Sequence, residues 1–374
     1  MKIALYIILG LLFVAACVAV WFFFIFFKVP SLKMPPNASE EERIKALDKW
    51  FEKLQEQHKF NGVVLIGKEG KVQLAKGYGY TDHRRDQKLT EHSSLRLASV
   101  SKQFTATGIL LLKQQGKLDL DDAVADYITN FPYEGVSIRH LLNQTSGIPD
   151  SYMELAHKNK ASIPLLTNEI ATDLLIREGQ PATHPPNEVF HYSNTNYILL
   201  GRLIEIIAGT SIEAFLQDNL FDPLGMQNTR VWNLRSADST FANKADDFQI
   251  AGKQAFELES TFLDGVAGDG AVFSSAMDLL TWDQFWNGNS LISDDILQEA
   301  FQRPVLNNGS TSDYGFGWMV TDKGMWHNGA WQGANTIFMR NTEQKSCIAI
   351  LDNSSNLFFN KLLQEFRTST TEKK

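Results

Sequence analysis

Apolar and polar positions along this chain follow several distinct patterns. After Met1 and Lys2 comes an uncharged, mostly apolar run from Ile3 to Phe27, closed by Lys28. A run of about 25 residues is long enough to cross a bilayer as a helix, since about 20 suffice. Further on, Ser39 and Glu42 have capping-box spacing. Ile44, Leu47, Phe51 and Leu54 then recur at helical intervals and predict a helix to about His58, broken by Asn61-Gly62. Val63 to Ile66 and Val72 to Tyr80 read as strands flanking Lys68-Glu69-Gly70, a hairpin signal. Ser99 to Gln115 reads as a helix stopped by Gly116.

From Leu118 to about Ala255 the pattern is mostly helical and looped. Ser137 can cap a short helix through Leu142, Tyr197 to Ile207 is a strongly apolar helix stopped by Gly209, and Ser211 can cap another. Past Gly265 the texture changes. Ser275 and Asp278 open a helix through Trp286, and short strands are predicted at Gly317 to Val320, Lys323 to His327, Ala334 to Arg340 and Cys347 to Leu351. A last helix covers Leu357 to Thr368. Strands near both chain ends around a helical middle predict an α+β protein. Its antiparallel sheet would be completed by both ends and flanked by helices, with a large, mainly helical insert at about 118–255. The expected organisation is an anchor or signal segment at 1–28, a linker at 29–38 carrying Pro35-Pro36, a folded domain at 39–368 and a polar tail at 369–374.

The N-terminal run has two rival readings. A cleavable signal peptide has a shorter apolar core ending in small residues, whereas Phe22, Phe23, Phe24, Phe26 and Phe27 continue this one with bulky side chains. Val14-Ala15-Ala16-Cys17 resembles a lipoprotein cleavage box, but the residues after Cys17 stay apolar. An uncleaved membrane anchor is therefore the expectation.

With 374 residues, 44% hydrophobic and 21% charged, the chain has the composition of an ordinary globular protein. A formal net charge of -8 repels phosphate backbones and argues against a nucleic-acid partner. The two cysteines, Cys17 and Cys347, are not expected to pair. The eight histidines show neither His-x-His nor His-Glu-x-x-His spacing, so metal hydrolysis is disfavoured, and Gly-x-Ser-x-Gly is absent.

Three short segments carry chemistry. In Ser99-Val100-Ser101-Lys102, the i, i+3 spacing lets Lys102 reach Ser99 across one helix face. A serine hydroxyl needs such a neighbouring base to act as a nucleophile. In Tyr192-Ser193-Asn194, the phenol can relay a proton and the amide can both donate and accept. In His327-Asn328-Gly329, His327 is a cation, a hydrogen-bond donor or a core residue, and Gly329 allows close approach to the backbone. A Ser-x-x-Lys pair alone arises about once by chance in a chain of this composition, so the three carry weight only as an ordered set.

That ordered set resembles the serine β-lactamase and penicillin-binding family, and more closely its class C β-lactamase-like branch. The flanks resemble it too, from Gly77-Tyr78-Gly79 and Arg96-Leu97-Ala98-Ser99 through Gly116-Lys117-Leu118-Asp119, Pro223-Leu224-Gly225-Met226 and Gly268-Asp269-Gly270. The resemblance implies a serine hydrolase working through an acyl-enzyme on Ser99, with Lys102 and Tyr192 sharing the acid and base work. It further implies that Asn194 holds the substrate's side chain and that His327 assists near Tyr192 or a substrate carboxylate. The N–H groups of Ser99 and Ala330 would form the oxyanion hole beside Gly329. No cofactor is implied. The substrate would be a peptide, ester or β-lactam, with the catalytic domain outside the cytoplasm. A non-hydrolytic penicillin-recognising binder or sensor is the rival. Two positions depart from the family pattern. His327 stands where lysine is frequent, which disfavours efficient antibiotic hydrolysis. Asn187 stands where glycine is usual and can take the same left-handed turn. Trp331 and Tyr152 are candidate wall aromatics, with simple packing the commoner role for each.

Overall fold

The computed structural model describes residues 28–235, 241–288 and 291–370, together with Gly10, Phe13, Val14 and Val18. The anchor run of residues 3–27, the Cys17 site and the tail beyond residue 370 lie almost wholly outside the described residues.

Ser39 caps α1 (Glu40–Glu56) through a reciprocal capping box with Glu42, as its spacing predicts. Then follow β1 (Gly62–Lys68), β2 (Lys71–Tyr78), β3 (Leu95–Arg96), a 3₁₀ turn at Ala98–Ser101 and α2 (Lys102–Gln114). The middle of the chain supplies α3 (Ile138–Leu142), α4 (Tyr152–Lys158), α5 (Asn168–Glu178), α6 (Asn194–Ala208) and α7 (Ile212–Leu216). After these come β4 (Arg230–Val231), β5 (Phe248–Ala251), β6 (Gln254–Glu257), β7 (Val272–Ser274), α8 (Ala276–Phe285) and α9 (Asp294–Glu299). The chain closes with β8 (Met319–Thr321), β9 (Gly324–Trp331), β10 (Ala334–Asn341), β11 (Ser346–Asp352) and α10 (Phe359–Thr370).

Two compact units are present, one of residues before Asn61 with those from Leu357 onward, the other Asn61–Asn356. Within the first, Trp50 Nε1 donates to the Pro30 carbonyl (2.7 Å), the Leu32 N–H donates to Glu365 (2.8 Å), and the Phe51 and Phe60 rings meet at 5.1 Å.

The second unit is built on a six-stranded antiparallel sheet, β2-β1-β11-β10-β9-β8. Early and late strands meet where β1 pairs with β11, with Gly62 opposite Asp352. This is the α+β arrangement expected from strands near both ends. Lys68 and Lys71 face each other across Glu69 (φ +50°) and Gly70 (φ +71°), the double left-handed turn that matches strand twist. Gly209 ends α6 in the same left-handed conformation (φ +68°). On the other side, α2 and α6 pack together among buried Phe104, Ile109, Leu200 and Leu203.

The stretch expected to be helical to about Ala255 also contains β4 and the β5–β6 hairpin. β4 joins β3 and β7 in a small sheet ordered β3-β7-β4. Strands of two to four residues are too short to display a period, which is why the pattern did not show them.

Candidate active site

The turn that presents Ser99 is unusual for alanine. Ala98 has φ +47°, a conformation that costs a residue with a Cβ about 1–2 kcal/mol. Neighbouring strands hold it there. The Leu97 N–H donates to Val272 O (2.8 Å), the Val272 N–H donates to Ser101 Oγ (3.0 Å), and Thr336 Oγ1 donates to Leu97 O (2.7 Å). Gly329 closes the other side. A Cβ there would lie 2.4 Å from Leu97 O and 2.8 Å from Ser99 N, so only glycine lets β9 lie against this turn.

Lys102, the first residue of α2, has no exposed surface. Its Nζ donates to Ser99 Oγ (3.1 Å), Asn194 Oδ1 (2.8 Å) and the Asp269 carbonyl (2.7 Å). Three acceptors for three N–H bonds satisfy a buried ammonium. The Tyr192 and Tyr197 rings lie 5.1 and 5.5 Å from the same nitrogen, cation–π range.

Asn194 opens α6. Asp150 holds it, accepting from Asn194 N (2.9 Å), Asn194 Nδ2 (2.9 Å) and Thr195 N (3.2 Å). One carboxylate therefore satisfies free N–H groups at the head of α6 and turns the Asn194 oxygen toward Lys102.

Tyr192 sits between Lys102 and the rings of Tyr314 (5.9 Å) and His327 (6.1 Å). Among the described residues no hydrogen bond joins its hydroxyl to Ser99.

His327 is buried on β9. Its Nδ1 lies 2.6 Å from Asn328 O, and a carbonyl can only accept, so Nδ1 carries the hydrogen. Nε2 then accepts from the Tyr314 hydroxyl at 3.0 Å. Burial, with Lys102 adding to it, pushes the imidazole down to about 3. The expectation that His327 could be a cation is corrected here: it is neutral, with both nitrogens occupied.

Ala330 is an exposed residue of β9. Trp331 and Ala334 flank the two-residue turn at Gln332-Gly333, and Ala330 is opposite Asn335. Hydrogen-bonded and non-bonded pairs alternate in an antiparallel ladder, so the Ala330 N–H is turned away from β10.

Ser99 opens onto a cavity of about 170 Å³ walled by Arg96, Tyr152, Asn194, Asp269, Ala330 and Trp331, with Leu263 and Val266 among its apolar surfaces. Tyr152 and Trp331 are thus wall aromatics. Arg96 is committed to Asp247 (2.6 Å) and Asp264 (3.5 Å), while Trp331 Nε1 also donates to Asp264 (3.2 Å). Asn187 takes φ +62°, the left-handed turn expected of it. Cys347 is buried and reduced. Among the described residues no His, Cys, Asp and Glu cluster could hold a metal ion.

The Beta-lactamase family model matches residues 47–367. The chain belongs to the Beta-lactamase family. Within that family it is 38% identical over 328 residues to penicillin-binding protein 4* of Bacillus subtilis strain 168, covering 84% of this chain and 72% of that protein. It is 29% identical over 336 residues to protein flp of Staphylococcus aureus strain MW2, covering 86% of this chain and 65% of flp. The solved penicillin-binding protein of Bacillus halodurans shares the fold, with TM-score 0.73, 23% identity and coverage of 85% of this chain and 98% of that one. Family membership makes the chain a β-lactamase-related serine hydrolase.

Sequence reasoning named Ser99, Lys102, Tyr192, Asn194, His327, Gly329 and Ala330, and the fold gathers all of them around one turn. It missed Asp150, which belongs to no motif, and Arg96 as a wall. It quoted Asp269 within Gly268-Asp269-Gly270 without giving it a part; its carbonyl contact with Lys102 depends on folding across more than 160 residues.

Proposed function

We propose that this chain hydrolyses peptide amides or esters through an acyl-enzyme on Ser99, as a DD-peptidase or esterase type rather than a true β-lactamase. The observation that carries the reading is Lys102 Nζ at 3.1 Å from Ser99 Oγ, beside a cavity that Ser99 opens onto. Ser99 Oγ adds to the substrate carbonyl while its proton is taken up by the Lys102–Tyr192 pair. The Ser99 and Ala330 N–H groups hold the oxyanion, the largest expected contribution in acyl transfer. Tyr192, against Lys102, returns the proton to the leaving amine or alcohol. Water then attacks the acyl carbon by the reverse proton path and frees Ser99. Asn194, fixed by Asp150, borders the acyl side chain.

The neutral His327 offers no positive charge to a substrate carboxylate, and Arg96 is already neutralised by two acids, which supports the ester type over β-lactams and over peptides ending in a free carboxylate.

The N-terminal run supports a membrane anchor, with the hydrolase domain outside the cytoplasm. Among the described residues no helix is long and apolar enough to cross a membrane, and the run lies almost entirely outside them.

The test is intact mass after exposure to a fluorescent penicillin and a chromogenic ester, with Ser99→Ala alongside. The expected result is a transient adduct on Ser99 and ester turnover, both lost in the variant. A stable adduct without turnover would make the protein a binder or sensor. No adduct and no turnover would overturn the proposal.

A further inference from the structure

Gly329 leaves a gap that a neighbour uses. Thr336 of β10 stands directly opposite it across the ladder, so the two residues share one face of the sheet. A Cβ on Gly329 would lie 2.6 Å from Thr336 Oγ1, 2.4 Å from Leu97 O and 2.8 Å from Ser99 N. The Thr336 hydroxyl passes over the glycine and donates to Leu97 O at 2.7 Å. Thr336 has no exposed surface, and its branched Cβ leaves little freedom at χ1, so the hydroxyl is held in place.

Leu97 O belongs to the peptide that joins Leu97 to Ala98. Its other acceptor site takes the Val100 N–H at 3.2 Å. Holding this peptide fixes its plane, and with it the entry to Ala98, whose φ of +47° is disfavoured for any residue with a Cβ. The next N–H along the chain is that of Ser99, and its direction follows the Ala98 dihedrals. A grip on Leu97 O is therefore a grip on the aim of the Ser99 N–H. Thr336 is not among the described residues that wall the cavity, so it acts without meeting the substrate.

We propose that Thr336 is a positioning residue for acylation: its hydroxyl holds the Leu97–Ala98 turn, and the held turn aims the Ser99 N–H at the oxyanion. This rests on the reading of Ser99 as the acylated residue, and the test separates the two. A holding role makes a specific demand. The hydroxyl matters most while alanine resists the turn, and less once glycine, which takes positive φ freely, stands at position 98.

Thr336→Val and Thr336→Ala remove the hydroxyl and Thr336→Ser keeps it; each is made alone and together with Ala98→Gly. With a chromogenic ester, kcat should fall about ten-fold in Thr336→Val and Thr336→Ala while KM stays within about two-fold, a smaller loss than the about 10²–10³-fold of a whole oxyanion donor. Thr336→Ser should keep most of the wild-type kcat. In the Ala98→Gly background the loss from Thr336→Val should shrink to about three-fold or less, a coupling that general damage to the fold would not produce. A second readout needs no substrate. Amide hydrogen exchange at Leu97 and Val100, whose N–H groups donate to Val272 O and Leu97 O, should quicken in Thr336→Val and Thr336→Ala but not in Thr336→Ser. Faster exchange in those variants with no ester turnover in wild type would uphold the grip on the turn and reject the hydrolase reading. Wild-type kcat in a folded Thr336→Val, an equal loss in both backgrounds, or exchange that matches wild type overturns the proposal.

Discussion

A histidine that is 3% exposed, with one ring nitrogen donating and the other accepting, has no favourable way to gain a proton. In the unfolded chain the same imidazole titrates at about 6.5. In the fold it titrates at about 3. Between those values the unfolded state binds the extra proton, so stability is complete above pH 6.5 and falls as pH drops toward 3. Urea midpoints measured from pH 7 to 4 should therefore fall more steeply in wild type than in His327→Gln. Parallel curves would show that His327 does not carry this dependence. For the same reason, His327→Lys should not extend activity to high pH. It would bury a second ammonium near Lys102 and lower stability by about 3 kcal/mol or more. Asp150 works in the opposite way, through a charge that is well answered. Asp150→Ala should cost about 1 kcal/mol of stability from the lost cap. It should also lower kcat/KM for ester hydrolysis about ten-fold, equivalent to about 1.4 kcal/mol, because Asn194 loses its anchor. Asp150→Asn, which keeps one acceptor oxygen but sets an NH2 against Asn194 Nδ2, should recover most of the stability and little of the activity.

At the scale of elements, the close fit between β9 and the Ser99 turn is the feature most open to test. Gly329→Ala places a methyl against Leu97 O and Ser99 N, both backbone atoms with no rotamer to yield. The strand must move outward, carrying the Ala330 N–H away from the Ser99 N–H. Acylation by a chromogenic ester, followed by stopped flow, should slow by about 10²–10³-fold, the effect of losing one oxyanion donor. Stability should fall by about 1–3 kcal/mol, the usual cost of overpacking. Normal acylation in a folded Gly329→Ala would mean that this contact does not set the site. The elements themselves were unequally legible. α1, α6 and the long strands announce themselves through capping serines, a terminal glycine and apolar periods. β3, β4 and β7 do not, because two or three residues hold no period, and their pairing joins Leu95 to Ser274. Site residues divide in the same way. Ser99 and Lys102 share a helix turn and can be seen as a pair, but the environment of His327 is set by Tyr314 and by burial among side chains from distant parts of the chain.

For the whole molecule, the open question is where the hydrolase works, and the apolar run before Lys28 bears on it directly. The run contains no charged residue from Ile3 to Phe27 and is rich in Phe, Leu, Ile and Val. Each such residue favours insertion at the helix centre by about 0.3–0.6 kcal/mol, so a dozen of them amount to several kcal/mol. A signal peptidase needs small residues at the end of a short apolar core, and the cluster at Phe22–Phe27 denies it that end. The full chain, expressed in a bacterial host, should stay in the membrane fraction through a carbonate wash, while a chain starting at Val29 should be soluble and keep its ester turnover. Mass spectrometry of the membrane form separates the three fates of the run: intact length for an anchor, loss of the run for a signal peptide, and a lipid adduct at Cys17 for a lipoprotein. Cys17→Ser should leave membrane retention unchanged if the apolar run itself is the anchor, because retention then depends on buried hydrocarbon area and not on an acyl chain. Release of the full chain by carbonate, or loss of retention in Cys17→Ser, would reject the anchor.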